Sequence, residues 1–341
     1  MNVNELRYCP STLAEGFNTY SPSCLRNLFN GKKVNHVLPY DSPQKNDEVA
    51  DLFMENRKRL SISGVQEKFS FVLERNKLRL TKQGEQGAYI LKPIPRDLKK
   101  ADQVPANEHL TMQIAKQVYG INTAENALIF FKNGSPAYIT KRFDVKPDAR
   151  LSDGQGSKWG KEDFASLAGK TNDNAGANYK YEYSYEEIGL LIQKFVPAWR
   201  VEIEKFFSLV LFNFIFSNGD AHLKNFALLE SSQGDYFLSP AYDLLNTRLH
   251  VNDTDFGLDK GLFADDFKSP EFQKRGQPSK TDFIEFGKRI GVVESRVEKL
   301  LLPYLEKQNK VETLVNRSFL NISSKRGYLL MYNAKRNLLI V

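Results

Sequence analysis

The chain has 341 residues, 41% hydrophobic and 26% charged, with 24 Phe and 15 Tyr; it is too long for one simple core, and two lobes or domains are expected. Its formal charge of +7 permits an acidic partner, but the basic residues are dispersed, with short clusters at "ENRKRL" and "SSKRGYLLMYNAKRN", so the excess alone argues only for solubility. No apolar run reaches membrane-spanning length, "MNVNELRYCP" has no signal pattern, and Cys9 and Cys24 lack a CxxC partner or matched histidines, so membrane, disulfide-scaffold and zinc readings fall away and a cytoplasmic protein is expected.

Up to about residue 60, turn residues surround one short helical candidate, "SCLRNLFN". "KFSFVLE" then alternates, with Phe69, Phe71 and Leu73 on one face, and "KLRLT" follows a charged turn, which predicts a hairpin. "GAYILKP" is a third strand, closed by Pro93 and Pro95. Leu110, Ile114 and Val118 mark one face of a helix over 106–119. "ALIFFKNGSPAYITKRFD" predicts two strands joined at Asn133-Gly134, a pair that accepts positive φ. The stretch from Asp148 to Lys180 is rich in Gly, Asn and Asp and is expected to be a long loop. Beyond it the chain should be mostly helical: "YEEIGLLIQKF", an almost wholly apolar helix over 201–216, then "KTDFIEFGKRIGV" and "ESRVEKLLLPYLEKQ". The expected organisation is a strand-rich N-terminal lobe, residues 1–143, and a larger helical C-terminal lobe, residues 144–341, in an α+β fold.

A buried helix that ends in a polar loop is a good mount for catalytic groups, because the helix fixes their position. Here the apolar run ends in "SNGDAHLKN", in which Asp220 and Asn225 are five apart. That is the interval between base and metal-binding asparagine in the catalytic loop of protein kinases. Lys224 could neutralise a transferring phosphoryl group, and Asp243 in "SPAYDLLN" supplies a second oxygen ligand suited to Mg²⁺. Taken singly, Asp220 reads as a turn cap, His222 as a core histidine and Asp243 as a helix cap; in order behind an apolar helix, the group favours phosphoryl transfer. Upstream, Lys92 at a strand end and Glu108 on the next helix could be the pair that holds ATP phosphates, or a surface ion pair of little value. "RLSISGVQEKFSF" is not a GxGxxG loop, yet its backbone, small hydroxyls and Lys68 could cradle phosphate oxygens.

In combination, "SISGVQEK", "YILKP", "NE", "KRFD", "KEDF", "NGDAHLKNFAL" and "AYDLL", in that order, resemble the HipA family of bacterial serine/threonine kinases. The resemblance implies a two-lobed, protein-kinase-like fold that binds ATP and Mg²⁺ between its lobes. It implies Asp220 as catalytic base, Asn225 and Asp243 as metal ligands, and Lys92 with Glu108 as the phosphate lysine and its partner. It likewise makes Ser61, Ile62, Ser63, Gly64, Val65 and Gln66 the ATP-covering loop, with Ser61 and Ser63 both candidates for autophosphorylation. Lys141, Arg142, Phe143 and Asp144 correspond to the hinge that meets adenine and ribose, and His222 occupies the family's D-x-H position, its role open.

Only 60 residues precede Ser61, fewer than the extra domain of long HipA toxins needs, so the chain resembles the short HipT type. That type implies a separate small HipS-like protein and a DNA-binding HipB-like protein as antitoxin partners, with DNA reached only through the complex. An aminoacyl-tRNA synthetase is the implied substrate, the tryptophanyl enzyme favoured and the glutamyl second. Two other readings stand beside it. Aminoglycoside- and choline-type kinases share the Asp-x-x-x-x-Asn loop but carry their histidine before the aspartate, whereas here Asn218 and Gly219 precede Asp220. A catalytically idle co-repressor would have no need of Lys92, Asp220, Asn225 and Asp243 together.

Overall fold

The computed structural model describes residues 5–42, 67–96, 98–146 and 158–340. They divide into two compact units, one built from Met1–Gln113, Ala124–Lys158 and Thr313–Ser324, the other from Ile114–Thr123, Trp159–Glu312 and Lys325–Val341. Each unit draws on three stretches of chain, so no single cut separates them.

The first unit opens with α1 (Pro22–Phe29), which begins where the sequence chemistry asks: Ser21 caps it by accepting from Cys24 N–H, Pro22 is at its first position, and Asn30 ends it at φ 53°. Strands β1 (Phe69–Glu74), β2 (Lys77–Leu80) and β3 (Tyr89–Lys92) follow, then helix α2 (Val104–Gln117) and strands β4 (Asn126–Phe130) and β5 (Pro136–Lys141). The five strands form one antiparallel sheet in the order β2-β1-β3-β5-β4. The expected hairpin and the third strand are therefore present. Gly134 takes the positive φ, 81°, in the turn between β4 and β5.

Strand parity sorts the side chains. Phe69, Phe71, Tyr89, Leu91, Ile129, Ala137 and Ile139 share a core cluster with Leu28 and Phe29 of α1 and with the buried thiols Cys9 and Cys24. Ile90 and Lys92 alternate with Tyr89 and Leu91, so they face the opposite side of the sheet.

The second unit contains β6 (Lys161–Asp163), the one-turn helices α3 (Phe164–Leu167) and α4 (Asn172–Ala175), then α5 (Tyr185–Phe195) and α6 (Trp199–Ile215). Strands β7 (Ala227–Glu230) and β8 (Tyr236–Leu238) complete a three-stranded antiparallel sheet in the order β6-β7-β8. Helices α7 (Pro270–Arg275), α8 (Lys280–Arg289), α9 (Glu294–Leu305), α10 (Asn309–Arg317) and α11 (Ile322–Ile340) follow.

Two expectations need correcting. The polar stretch before α5 is not plain loop: its described part holds β6 and two short helices. The segment after Asn225 hides the hairpin β7–β8, whose first strand, β7, pairs with β6 across more than sixty residues of sequence, a pairing that local periodicity does not register. Helix α5 starts on a capping box in which Ser184 and Glu187 satisfy each other's backbone N–H groups. Helix α6 is buried almost all round, from Ile203 through Phe206, Phe207 and Leu209 to Ile215. Aromatic rings surround it: Phe207 stacks on Phe286, Phe214 on Phe256, and Phe212 on Phe216. This helix carries the polar loop.

Candidate active site

In the first unit, Lys92 ends β3 on the sheet face opposite α1. Its Nζ donates to Glu108 Oε1 of α2 at 2.6 Å and lies 5.4 Å from the centre of the Tyr138 ring. The two side chains are only 4% and 2% exposed, which rules out the surface-pair reading. An ion pair so deep costs desolvation energy on both sides, and a fold built for stability alone would be served as well by apolar side chains.

The side chains of "KRFD" go to different partners. Lys141 shares its strand parity with Ile139, and its Nζ reaches the end of α1, donating to Asn30 Oδ1 at 2.6 Å and Asn27 O at 3.2 Å. Burial holds its pKa below the ordinary lysine value. Arg142 instead grips Asp144 with two bonds, Nε to Oδ1 at 2.9 Å and a terminal nitrogen to Oδ2 at 2.5 Å. Phe143 between them is half-buried. Ser61 to Gln66 lie outside the described residues.

In the second unit, α6 stops at Phe216, and Ser217, at φ 55°, turns the chain back on itself. Asn213 is the polar member of the buried helix that makes this turn possible: its O accepts from Asn218 N–H at 2.8 Å and its Oδ1 from the Asn218 amide at 2.9 Å. Thr247 clamps the other side, taking Gly219 N–H at 3.0 Å and donating its hydroxyl to Ser217 O at 3.0 Å. Gly219 is required by space, since a Cβ there would stand 2.5 Å from Thr254 O and from the Asp253 carboxyl carbon. Gly257 lies as close to Ala221, whose N would be 2.4 Å from an added Cβ.

Asp220 is thereby presented with its side chain 51% exposed. Tyr181 donates its hydroxyl to Asp220 Oδ1 at 2.9 Å, and burial together with that carboxylate raises the phenol's pKa, so it remains a donor. The next turn is a short 3-10 helix, Leu223–Asn225, in which Asn225 Oδ1 accepts the N–H of His222 at 3.1 Å. His222 is buried, edge-on to the Tyr181 ring at 5.2 Å, with Nε2 4.0 Å from Asp220 Oδ1. Burial first, and the nearby Lys180 second, push its pKa down to about 3, so near neutral pH it is an uncharged wall of the loop. Lys224 is half-buried with its ammonium 3.4 Å from the Tyr179 hydroxyl, and its carbonyl accepts from Tyr242 at 2.8 Å.

That last bond ties the loop to Asp243, the neighbour of Tyr242. Asp243 caps no helix; it sits half-buried on irregular backbone at φ 56°, with its carbonyl 3.5 Å from the Asn218 amide. The left-handed region is tolerated by aspartate but has to be held by surrounding structure. Asn225 and Asp243 are both half-buried oxygen donors, and no group of three or more His, Cys, Asp and Glu suited to a metal occurs among the described residues. A sparse oxygen set of this kind fits Mg²⁺ delivered with nucleotide, because that ion keeps waters and takes phosphate oxygens. The contribution of Tyr181 was not legible in the sequence. It precedes Asp220 by 39 residues, inside the stretch read as loop.

The sequence profile of the HipA-like C-terminal domain matches residues 60–312. The chain belongs to the HipA-like family. A Haemophilus influenzae protein provisionally named a kinase is 26% identical over 333 residues, 94% of this chain and 92% of its own length. Sinorhizobium fredii Y4dM, also provisionally a kinase, is 29% identical over 230 residues, 63% of this chain and 52% of its own length. Among solved structures, the Shewanella oneidensis HipA chain, determined with HipB and operator DNA, aligns with a TM-score of 0.60 at 18% identity, over 81% of this chain and 63% of its own. The Helicobacter pylori proinflammatory kinase CtkA aligns at 0.50 and 17%, over 79% and 93%. The fold is thus that of HipA and CtkA, as the sequence motifs led us to expect. No helix among the described residues is long and apolar enough to cross a membrane.

Three outcomes follow from this geometry. Glu108→Gln should destabilise the protein by about 3–5 kcal/mol in denaturant unfolding, since it leaves a buried ammonium without its carboxylate, whereas Lys92→Met/Glu108→Leu should recover most of that loss; equal destabilisation by both would refute the buried-pair account. Tyr181→Phe should lower phosphate-transfer kcat about tenfold with nucleotide affinity unchanged, one hydrogen bond to a charged group being removed; an unaltered kcat excludes a positioning role. The His222 pKa of about 3 lies below the ordinary 6.5, so as pH falls below 6.5 the unfolded chain takes up a proton that the folded chain refuses, and stability is lost down to about pH 3. His222→Gln should make that decline shallower in unfolding measured between pH 7 and 4; a curve parallel to wild type would contradict it.

Proposed function

We propose that the chain is an ATP-dependent protein kinase that phosphorylates a serine or threonine hydroxyl, and that it is the toxin of a toxin–antitoxin pair. The observation that carries this reading is Asp220: a half-exposed carboxylate on a loop anchored to a buried helix, with one oxygen held by Tyr181 and a metal-suited asparagine five residues on. In this reading the Asp220 carboxylate, held by Tyr181, orients the acceptor hydroxyl. The hydroxyl oxygen bonds to the γ-phosphorus, the bond from that phosphorus to the β–γ bridging oxygen breaks, and the hydroxyl proton passes to Asp220. General-base help of this kind contributes about 10²–10⁴ in rate, so positioning supplies most of the acceleration.

Lys92, fixed by Glu108, is the phosphate-binding lysine. Asn225 and Asp243 would hold Mg²⁺, which when bound neutralises charge on the phosphate oxygens. His222, buried and neutral near neutral pH, shapes the loop. Lys224 faces the transferring phosphoryl group once its contact with Tyr179 is released. The pairing of Arg142 with Asp144, and of Lys141 with the end of α1, leaves the strand end as backbone-level support for the nucleotide rather than a set of four ligands.

The family and the HipA–HipB–DNA assembly of the Shewanella protein support an antitoxin partner, with DNA reached through it. Within this reading the substrate is an aminoacyl-tRNA synthetase, tryptophanyl before glutamyl, and the partners are a HipS-like and a HipB-like protein. Phosphorylation of Ser61 or Ser63 adds roughly −1.5 to −2 charges beside the nucleotide phosphates and so would switch the enzyme off.

Asp220→Asn should reduce transfer of label from γ-labelled ATP to protein by at least about a hundredfold while Mg·ATP binding, followed by calorimetry, is retained. Transfer at the wild-type rate, or label found only on sugar or aminocyclitol hydroxyls, would overturn the assignment.

A further inference from the structure

Beside Asp220 the second unit contains a cavity of about 530 Å³ with Tyr181 and Gly219 in its wall. Leu258, Leu262, Phe263, Phe267 and Phe272 give it a broad apolar lining. Its charged groups fall into two sets. Asp255 is taken by Arg248, at 2.6 Å, and by Lys335. Asp282 accepts from the hydroxyls and N–H groups of Ser269 and Ser279. Lys260 reaches Glu187 at 3.6 Å, and Lys268 lies 5.3 Å from the centre of the Phe272 ring.

Asp253 and Asp259 differ from these: neither carboxylate has a cation among the described residues. Asp253 takes the N–H of Thr254 at 3.0 Å and abuts Gly219, the residue before Asp220. Asp259 donates its own N–H to Tyr181 O at 2.9 Å. Both carboxylates act electrostatically on the Tyr181 hydroxyl, the same group that bonds Asp220. The cavity thus joins an apolar interior to Asp253 and Asp259, two carboxylates beside the group assigned as base that have no cation among the described residues, with Lys268 the lining cation that has a ring and no carboxylate against it.

We propose that this cavity is the acceptor subsite and takes a lysine or arginine side chain close in sequence to the phosphorylated residue, its stem on the apolar lining and its cation on Asp253 and Asp259. The inference rests on the kinase reading of Asp220 and adds the substrate chemistry. A long aliphatic stem with a charged head matches such a cavity, burying its methylenes while the head stays at the rim. The same two charges repel an acidic acceptor segment, so selection works by attraction and by exclusion.

The test uses the full chain and three synthetic peptides that share a central serine, flanked by lysine and arginine, by glutamine and leucine, or by glutamate. Wild type should favour the basic peptide over the neutral one about tenfold in kcat/KM, and the acidic one least. Asp253→Asn/Asp259→Asn should lose the preference through KM for peptide, with Mg·ATP affinity and melting temperature unchanged. In a measurement independent of turnover, calorimetric affinity for the basic peptide with its serine replaced by alanine should fall about tenfold in the same variant. Equal labelling of basic and neutral peptides by wild type, or a preference retained by the double variant, overturns the subsite but leaves the kinase reading standing. No label in any peptide or protein, with Mg·ATP bound, overturns both.

Discussion

The second unit depends on one constraint: helix α6 is buried on nearly every side, yet its last residues must deliver a polar loop to the surface. An apolar helix cannot end in a core without partners for its terminal carbonyls and for the backbone that follows. The chain meets this with a buried polar residue in the last turn of the helix. Asn213 supplies both a carbonyl and a side-chain oxygen to Asn218, and Ser217 adopts the left-handed conformation that the reversal needs. The loop then borrows Thr247 from beyond Asp243 to tie down Gly219 and Ser217. The exposed position of the Asp220 carboxylate is inherited from this turn, in which Gly219 has no room for a Cβ against Asp253 and Thr254.

The same constraint explains the close approach of the segment 253–259. Gly219 and Gly257 each lack the Cβ that would meet the facing backbone, so the two strips of chain run in contact. Tyr185, buried in α5, bridges them by donating to Ala221 O at 2.8 Å and accepting from Gly257 N at 3.3 Å. From the far side, Asp255 is fastened by Arg248 and by Lys335 of α11, a lysine only 4% exposed that also lies 4.4 Å from the centre of the Phe214 ring. Burial of that kind is costly for an isolated ammonium, and the carboxylate is what makes it tolerable. The alternation along this segment, with Asp255 compensated and Asp253 and Asp259 not, distinguishes a charge that holds the segment in place from charges left to face a cavity.

What was legible in the sequence follows from the range over which each signal acts. Alternation at Phe69, Phe71 and Leu73, and the continuous apolar face of α6, report local burial directly, and both elements are found where they were expected. The order of Lys92, Glu108, Asp220, Asn225 and Asp243 was legible because each type is unusual in its setting. The opposite is true of β6, β7 and β8, three or four residues each: β6 pairs with β7 only at long range, and none is long enough to show a period of its own. Tyr181 and Asp253 escaped for the same reason: a tyrosine in a polar stretch and an aspartate in a turn acquire meaning only when the fold brings them to Gly219 and Asp220.

"KRFD" shows how strand geometry spreads a contiguous motif. Four adjacent residues were grouped by resemblance, but they lie at the end of a strand, where successive side chains point to opposite faces. Lys141 follows the parity of Ile139 toward α1, while Arg142 and Asp144, two apart, close on each other. Adjacency in sequence therefore argues against a shared ligand at a strand end, whereas sixteen residues across a strand and a helix bring Lys92 and Glu108 to 2.6 Å. A motif in this fold is best trusted where an element's geometry converges its side chains, as the turn after α6 does, and least where the geometry separates them.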